Sequence, residues 1–594
     1  MAEKEQNSKK YIVMIDQDKI EPELARETVI KYDPLNRPGK EGGFYLDENE
    51  ELHINDDDVM EAHKMAVNKY PYEGAIQMVQ LVHEEGDKIH QFGENQFRLH
   101  GLPSPEQDSV VGILGENGLG KTVASKILSG KLKPNLGDYE EPPSWEEIKK
   151  KYRGTGLQDH LKKLSEDEVN SATKPQQVEK IPEAFSGTVK DFLTRNSRPE
   201  NLESLIEKFD LEKLEDREVG NLSGGELQRL AIASTIGEEA EMYVFDEPSS
   251  FLDVKQRLKT GNEIRSLDGE VFAVEHDLAT LDLISDKIHI FYGEKGSYGM
   301  VSNALSTKKG INEYLDGHIP SQNLKIRSDS IKFERTEAER GSGEEIISFE
   351  PLEKDFGKNE FDLKTSSGSI HKDEIIGIIG ENGLGKTVFA KMLAGAIEPD
   401  KGESPDTKIS YKNQYIEASD KEVRNAFPED ANMNTRRFQT RIEEPLELEP
   451  LYERKLENLS GGELQRVAVA ICLSRNADAY LLDEPSAFLD VESRVKLGKT
   501  LKRFSRKEDK PLLVIDHDLL LLDYISDRGI VFTGEPGITG ESTKPLKIEK
   551  ALNKFLKEVD VTFRRDPSTG RPRANKPGSQ KDEKQRGNGN FYEQ

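Results

Sequence analysis

Four blocks of this 594-residue chain occur twice, in the same order. VVGILGENGLGKTVASKILSGKLKP at 110–134 returns as IIGIIGENGLGKTVFAKMLAGAIEP at 375–399. NLSGGELQRLAIA at 221–233 returns as NLSGGELQRVAVA at 458–470, VFDEPSSFLDV at 244–254 as LLDEPSAFLDV at 481–491, and VEHDL at 274–278 as IDHDL at 515–519. Whatever fold one copy adopts the other must adopt as well, so the chain holds two homologous modules. Length alone suggests about three to five domains. Outside the repeats lie an N-terminal segment (1–75), a polar linker (316–345) and a C-terminal stretch (546–594).

Each copy carries a phosphate-binding pattern. Gly115 to Thr122 and Gly380 to Thr387 fit G-x-x-x-x-G-K-(S/T), each between an apolar strand-like run and a helix-like run. Glycines let successive backbone N–H groups converge on phosphates, and the helix N-terminus adds a favourable dipole. The candidate cradle in the first copy is Gly115, Asn117, Gly118, Gly120, Lys121, Thr122 and Val123; in the second it is Gly380, Asn382, Gly383, Gly385, Lys386, Thr387 and Val388. Lys121 and Lys386 are expected on the β/γ-phosphates, Thr122 and Thr387 on Mg2+. Asp246 and Asp483 end buried strand-like runs, where a Mg2+-organising carboxylate belongs. Glu247 and Glu484 follow directly, placed to act as general bases on water. His276 and His517, each after another apolar run, read as sensors of the γ-phosphate and the attacking water.

Composition narrows the setting. No apolar run approaches the ~18–20 residues of a membrane span, and the charged N-terminus is not a secretory signal, so the expected compartment is the cytoplasm. A single cysteine, Cys472, excludes a disulfide framework and cysteine-ligated clusters within one chain. The net charge of −28 disfavours long-range attraction to nucleic acid. Yet the last 32 residues carry eight Lys/Arg against four Asp/Glu, a local basic excess.

LSGGELQR in both copies identifies the chain as similar to the ABC ATPases. That resemblance implies that Ser223 and Gly225 of one cassette close over nucleotide held by the P-loop of the other, and that Ser460 and Gly462 do the reverse. It further implies Q-loop roles, Mg2+ contact included, for Gln176 and Gln414, and D-loop roles for Asp253 and Asp490. Over nearly the whole length the chain resembles the ribosome-recycling branch, the RNase L inhibitor family (ABC class E). The helix-loop-helix-like insertion at 137–166, LDGHIPSQNLKIR in the linker and FRRDPSTGRPRANK at 563–576 carry that likeness. Phe92 and Phe97 of QFGENQF match the family's adenine-stacking region. By the same resemblance Arg564, Arg565, Arg571, Arg573 and Lys576 would contact rRNA phosphates. The stretch after Lys576 reads either as part of that element or as a solvated tail.

The family's N-terminal domain carries two 4Fe–4S clusters on eight cysteines. Here those positions hold Ile20, Ala25, Val29 and Asp33, then Met60, His63, Ala66 and Tyr70. No cluster is expected, and a hydrophobic core should replace it. The expected fold class is α/β: two ABC-type P-loop domains (76–315 and 346–545) head to tail, plus a small α+β ferredoxin-like N-terminal domain without clusters. The expected function is that of an ATP-hydrolysing, Mg2+-dependent monomer that splits ribosomes. Its partners would be ribosomal subunits (rRNA and ribosomal protein), a release or rescue factor and initiation factors, with no membrane. Two alternatives stand: a ribosome-associated ATPase that regulates initiation, dormancy or rescue without splitting, and a non-recycling, ATP-switched scaffold.

Overall fold

A computed structural model describes residues 11–36, 43–72, 74–80, 88–333, 343–357, 361–414 and 419–593; the Gly/Ser-bearing end of the linker, 334–342, lies outside them. The two repeats fold alike. In the first, strands Lys287–Glu294, Ser109–Leu114, Glu270–Val274, Met242–Asp246 and Ser171–Lys174 form a parallel core in that spatial order. In the second, Arg528–Glu535, Ile375–Ile379, Leu512–Ile515, Ala479–Asp483 and Ile409–Lys412 repeat it. Each core continues into a wing of mixed parallel and antiparallel pairs, giving nine strands per sheet. The central strands are near-continuous apolar runs because helices cover both faces of a parallel sheet; Met242–Asp246 and Ala479–Asp483 are buried along their whole length.

The N-terminal domain pairs strands Tyr11–Ile15 and Ile76–Gln80 antiparallel, with a hairpin of Phe44–Leu46 and Leu52–Ile54 and short helices between. Its core gathers Val13, Ile15, Phe44, Leu52 and Ile54 with Ala25, Val29, Ala66 and Tyr70, four of the positions where the resembling family has cysteine. At two others, Asp33 and His63 form a buried pair 3.3 Å apart, both side chains with 0% exposure. Asp33 also accepts hydrogen bonds from the Leu35 and Phe44 N–H groups, both at 2.7 Å. Burial alone would raise its pKa; His63 and the two N–H donors outweigh that and hold it below the ordinary value. Met60 is 40% exposed. These side chains fill the space and supply no thiolate, so they do not fit an iron–sulfur cluster.

The domain is fastened to the first cassette through Asn95. Its side chain exchanges two hydrogen bonds with the Ile54 backbone (3.0 and 2.9 Å), and its carbonyl accepts from the Ile15 N–H. Asn95 sits inside QFGENQF, between Phe92 and Phe97.

The C-terminal stretch corrects one expectation. Three of the four arginines of FRRDPSTGRPRANK, Arg565, Arg571 and Arg573, pair with acids of the cassettes. Arg571 is fully buried 3.3 Å from Asp282, which also receives two hydrogen bonds from Arg573 (2.6 and 2.8 Å). Arg565 pairs with Asp523 and Arg564 donates to Asn575 at 2.8 Å. Asp282 belongs to the first cassette and Asp523 to the second, so Arg565, Arg571 and Arg573 neutralise acids of the protein itself and are withdrawn from RNA phosphates, whereas Arg564 is held by a neutral amide; of the five basic residues only Lys576 is exposed. The final stretch folds as well: helix Gln580–Gly587 and strand Tyr592–Glu593 pack with Phe591 and Tyr592 buried.

Asp33→Ala should lower the stability of the N-terminal domain by about 3–5 kcal/mol, since it strands His63 and two buried N–H donors. Hydrogen exchange of the 44–54 hairpin in the full chain measures this; unchanged protection would mean that the buried pair contributes nothing.

Candidate functional site

Each P-loop turns on glycines in left-handed conformation. Gly120 has φ +84°, and a Cβ there would meet the Phe97 ring at 2.7 Å; Gly385 repeats this with φ +86° and Phe361 at 2.8 Å. The helices Lys121–Leu128 and Lys386–Leu393 begin at these turns. Lys121 Nζ donates to the Gly115 and Glu116 carbonyls (2.8 and 2.7 Å) and to Asn117 Oδ1; Lys386 Nζ holds Gly380 and Glu381 the same way. Burial lowers the Lys121 pKa to about 8. A bound polyphosphate would supply the counter-charge this buried ammonium lacks.

The acids stand opposite. Thr387 Oγ1 donates to Asp483 Oδ2 at 2.9 Å, and Tyr411 donates to the same oxygen at 3.2 Å. Asp483 Oδ1 is buried with no partner. Burial and the adjoining Glu484 raise the Asp483 pKa; burial and Glu247 push Asp246 up to about 6. Two neighbouring carboxylates with an orphaned oxygen beside a threonine hydroxyl fit a divalent cation, whose charge would relieve the repulsion.

Gln176 and Gln414 donate to Glu247 and Glu484, each at 2.8 Å. His276 Nε2 lies 3.9 Å from Glu247 and His517 Nε2 3.4 Å from Glu484. Burial, reinforced by Lys121, lowers His276 to about 3, so it is neutral at pH 7. Burial would raise Glu484, but His517, Gln414 and Lys386 hold it at about 2, ionised and able to accept a proton from water. Both glutamates take positive φ (50° and 48°), as do Phe251 and Phe488 (63° and 62°). Strained positions that recur at matching places in two copies mark a functional loop.

The sites are completed across the cassette boundary. Asp490 accepts a hydrogen bond from the Asn117 N–H at 3.1 Å, and Asp253 accepts from the Asn382 N–H at 3.0 Å. Each D-loop aspartate thus touches the opposite P-loop. Ser460, Gly461 and Gly462 line, with Phe92, Phe97, Asn117, Lys121, Thr122, Val123, Gln176, Asp246 and Glu247, one cavity of about 650 Å3. In the other direction Asn382 Nδ2 donates to the Phe251 carbonyl, which also lies against Gly225. Ser223 and Ser460 cap helices Gly224–Gly237 and Gly461–Ser474 through reciprocal bonds with Glu226 and Glu463, and the second of these helix N-termini shares its cavity with the opposite P-loop. Phe92 is 49% exposed in the cavity; Phe97 packs behind Gly120.

Several contributors escaped the motif reading. Phe356 and Phe361 are the second-cassette counterparts of Phe92 and Phe97; QFGENQF against DFGKNEF at the same spacing was the available signal. Lys174 and Lys412, buried, donate to the Asp246 and Asp483 carbonyls (2.7 and 2.9 Å), and Gln228 and Gln465 of the signature helices hold the Glu247 and Glu484 carbonyls. The repeat marks all of these pairs, but only packing assigns their roles.

The ABC transporter family model matches residues 104–250 and 363–487. An uncharacterised ABC transporter ATP-binding protein of Methanocaldococcus jannaschii is 44% identical over 588 residues, covering 98% of this chain and 97% of that protein. A translation initiation factor RLI1 of Chaetomium thermophilum is 41% identical over 98% of this chain and 97% of its own. Among solved structures, a model of ribosome-bound archaeal Pelota and ABCE1 superposes with a TM-score of 0.91 at 42% identity, covering 98% of this chain and 99% of that one. The complex of archaeal ribosomal stalk protein aP1 with the ribosome recycling factor aABCE1 gives 0.79 at 45% identity, over 85% and 99%. Among the described residues no helix is long and apolar enough to cross a membrane.

Glu247→Gln and Glu484→Gln should each cut turnover at their own site by about a hundred- to ten-thousand-fold while nucleotide stays bound. Phosphate release together with nucleotide retention tests this, and wild-type turnover in both variants would reject the base assignment.

Proposed function

We propose, on the premise that this chain belongs to the RNase L inhibitor family of twin-cassette ABC ATPases (ABC class E), that it splits ribosomes into subunits through ATP-driven closure of its cassettes. The observation that supports this reading is the pair of composite arrangements: the P-loop, Asp-Glu, glutamine, histidine and signature residues occur twice, and each P-loop is hydrogen-bonded to the D-loop aspartate of the other cassette. In this reading Lys121 and Lys386 hold the β/γ-phosphates, Ser460 and Ser223 close over them from the opposite cassette, and Phe92 and Phe97 receive the adenine at the first site. Thr122 with Asp246, and Thr387 with Asp483, would hold Mg2+, which neutralises phosphate charge when bound; Gln176 and Gln414 stand beside them. Glu247 and Glu484 take the proton of the attacking water, and neutral His276 can accept or donate one hydrogen bond to it.

The stroke has a physical route to the N-terminal domain. Closure at the first site moves the Phe92–Phe97 loop, and Asn95 of that loop is bonded to Ile54 and Ile15. The domain then acts as a lever whose rigidity comes from a hydrophobic core and a buried ion pair. The partners are those of the relatives, ribosomal subunits with their stalk protein and a rescue factor of the Pelota kind, and the chain works as a cytoplasmic monomer because both sites close within it. The domain boundaries proposed from the sequence, 76–315 and 346–545 for the cassettes and 316–345 and 546–594 for the elements along their seam, need one change: the lever runs to residue 80, because strand Ile76–Gln80 pairs with Tyr11–Ile15. A second reading, binding to ribosomes without splitting them, is favoured only by the loss of the cluster ligands.

A sucrose-gradient assay separates the two. Cognate ribosomes with a rescue factor and an anti-association factor should convert to subunits with MgATP and not with Glu484→Gln. Co-sedimentation with intact ribosomes under MgATP would establish the second reading instead.

A further inference from the structure

The two ATP sites repeat each other almost residue for residue, yet they differ in charge at one interface position. The helices that follow the D-loop aspartates, Val254–Arg265 and Val491–Glu508, carry Lys255 in the first cassette and Glu492 at the matching place in the second. Each faces the second residue of the opposite P-loop, which is glutamate in both copies. Lys255 Nζ lies 3.2 Å from Glu381, an ordinary attraction across the interface. Glu492 instead meets Glu116, carboxyl to carboxyl.

Two cations flank that like-charge contact. Lys295 lies 2.5 Å from Glu116 within the first cassette, where the second cassette has Pro536. Arg327, from the linker, pairs with Glu492. It is tightly held on the first-cassette side: its Nη2 donates to the Tyr314 and Leu315 carbonyls (2.7 and 2.9 Å), its Nε to the Asp329 carbonyl (2.8 Å), and its guanidinium lies 5.5 Å from the Tyr314 ring centre. Only 15% of its side chain is exposed, and 13% of that of Glu492.

We propose that Arg327 is a positioning residue for the ATP site built on the first P-loop: by neutralising Glu492 it lets the Glu116–Glu492 contact close, so closure of that site alone depends on the linker being seated. Where Lys255 closes the second site directly, the first site borrows its cation from the linker. The two sites therefore respond differently to linker position and to pH.

The groups facing Glu492 are Glu116 of the P-loop, Arg327 of the linker, Tyr314 of helix Thr307–Asp316 and Asp490 of its own helix, with Lys295 behind Glu116. Burial, followed by Glu116, pushes the Glu492 carboxyl up to about 7 against the pull of Arg327. With the cassettes apart it returns to the ordinary glutamate value, so closing takes up a proton. Closure is then most favoured below the ordinary value, weakens as pH rises from there toward 7, and levels off above.

The test uses the full chain and a non-hydrolysable ATP analogue. In a Lys386→Ala background binding reports the first P-loop, and in a Lys121→Ala background the second. First-site affinity should fall by about tenfold between pH 6 and pH 8, and Glu492→Gln should flatten that profile. Arg327→Met should weaken the first site by about tenfold or more, with restoration by added Glu492→Gln and no change at the second site. Equal losses at both sites, or failure of Glu492→Gln to restore binding, would overturn the proposal and leave Arg327 as an anchor of the linker. The inference rests on ATP binding at both P-loops. Absence of binding in both backgrounds would sink that reading and this one together, whereas binding that ignores Arg327 and pH sinks this one alone.

Discussion

Two reciprocal hydrogen bonds, Asn117 N–H to Asp490 and Asn382 N–H to Asp253, fix the relation on which the rest of the molecule depends. Each runs from the phosphate cradle of one cassette to the D-loop of the other. The same short segment also carries Glu247 or Glu484, the proposed bases, six residues upstream of its aspartate, so each P-loop is tied to the segment that holds the opposite glutamate. Phe251 and Phe488, edge to face with ring centres 5.5 Å apart, join the two D-loops at the centre of this exchange. Sites divided in this way cannot be built by either cassette alone.

An acidic chain of net charge −28 needs internal cations to bring its two halves together. The linker and the C-terminal stretch supply them: Arg327 to Glu492, Arg571 and Arg573 to Asp282, Arg565 to Asp523. Buried or half-buried guanidinium–carboxylate pairs are strong in geometry and costly to break singly, which suits a seam that holds two cassettes together. The N-terminal domain at the other end is stabilised by different means. Where the resembling family uses cluster ligands, this chain packs Ala25, Val29, Ala66 and Tyr70 and balances Asp33 against His63.

The repeat makes the fold and most residues of the candidate site legible in the sequence. Duplicate P-loops, Asp-Glu pairs and signatures define both ABC cores, and the structure brings Lys121, Asp246, Glu247 and Ser460 to one cavity although up to 339 positions separate them. What the motifs could not reveal were features that depend on the partner surface. The arginines of 563–576 read as a basic patch because sequence shows charge but not direction, and packing turns Arg565, Arg571 and Arg573 onto Asp523 and Asp282. The closing segment looked polar enough to be solvated, yet Phe591 and Tyr592 anchor it. Phe356 and Phe361 were hidden because a phenylalanine near a strand is usually core, and only the repeated spacing distinguishes them. The charge swap between Lys255 and Glu492 lies in plain sight in the repeat, but its meaning required knowing that each side chain faces the other cassette's P-loop.

The most direct test of this account is an experimental structure of the chain with a non-hydrolysable MgATP analogue bound. The account predicts two nucleotides buried between the cassettes: the γ-phosphate on Lys121 within hydrogen-bond distance of Ser460, the one on Lys386 within reach of Ser223, and a Mg2+ ion beside each threonine–aspartate pair. Nucleotides held by one cassette alone, with the facing serines turned to solvent and the Asp253 and Asp490 bonds absent at saturation, would contradict it.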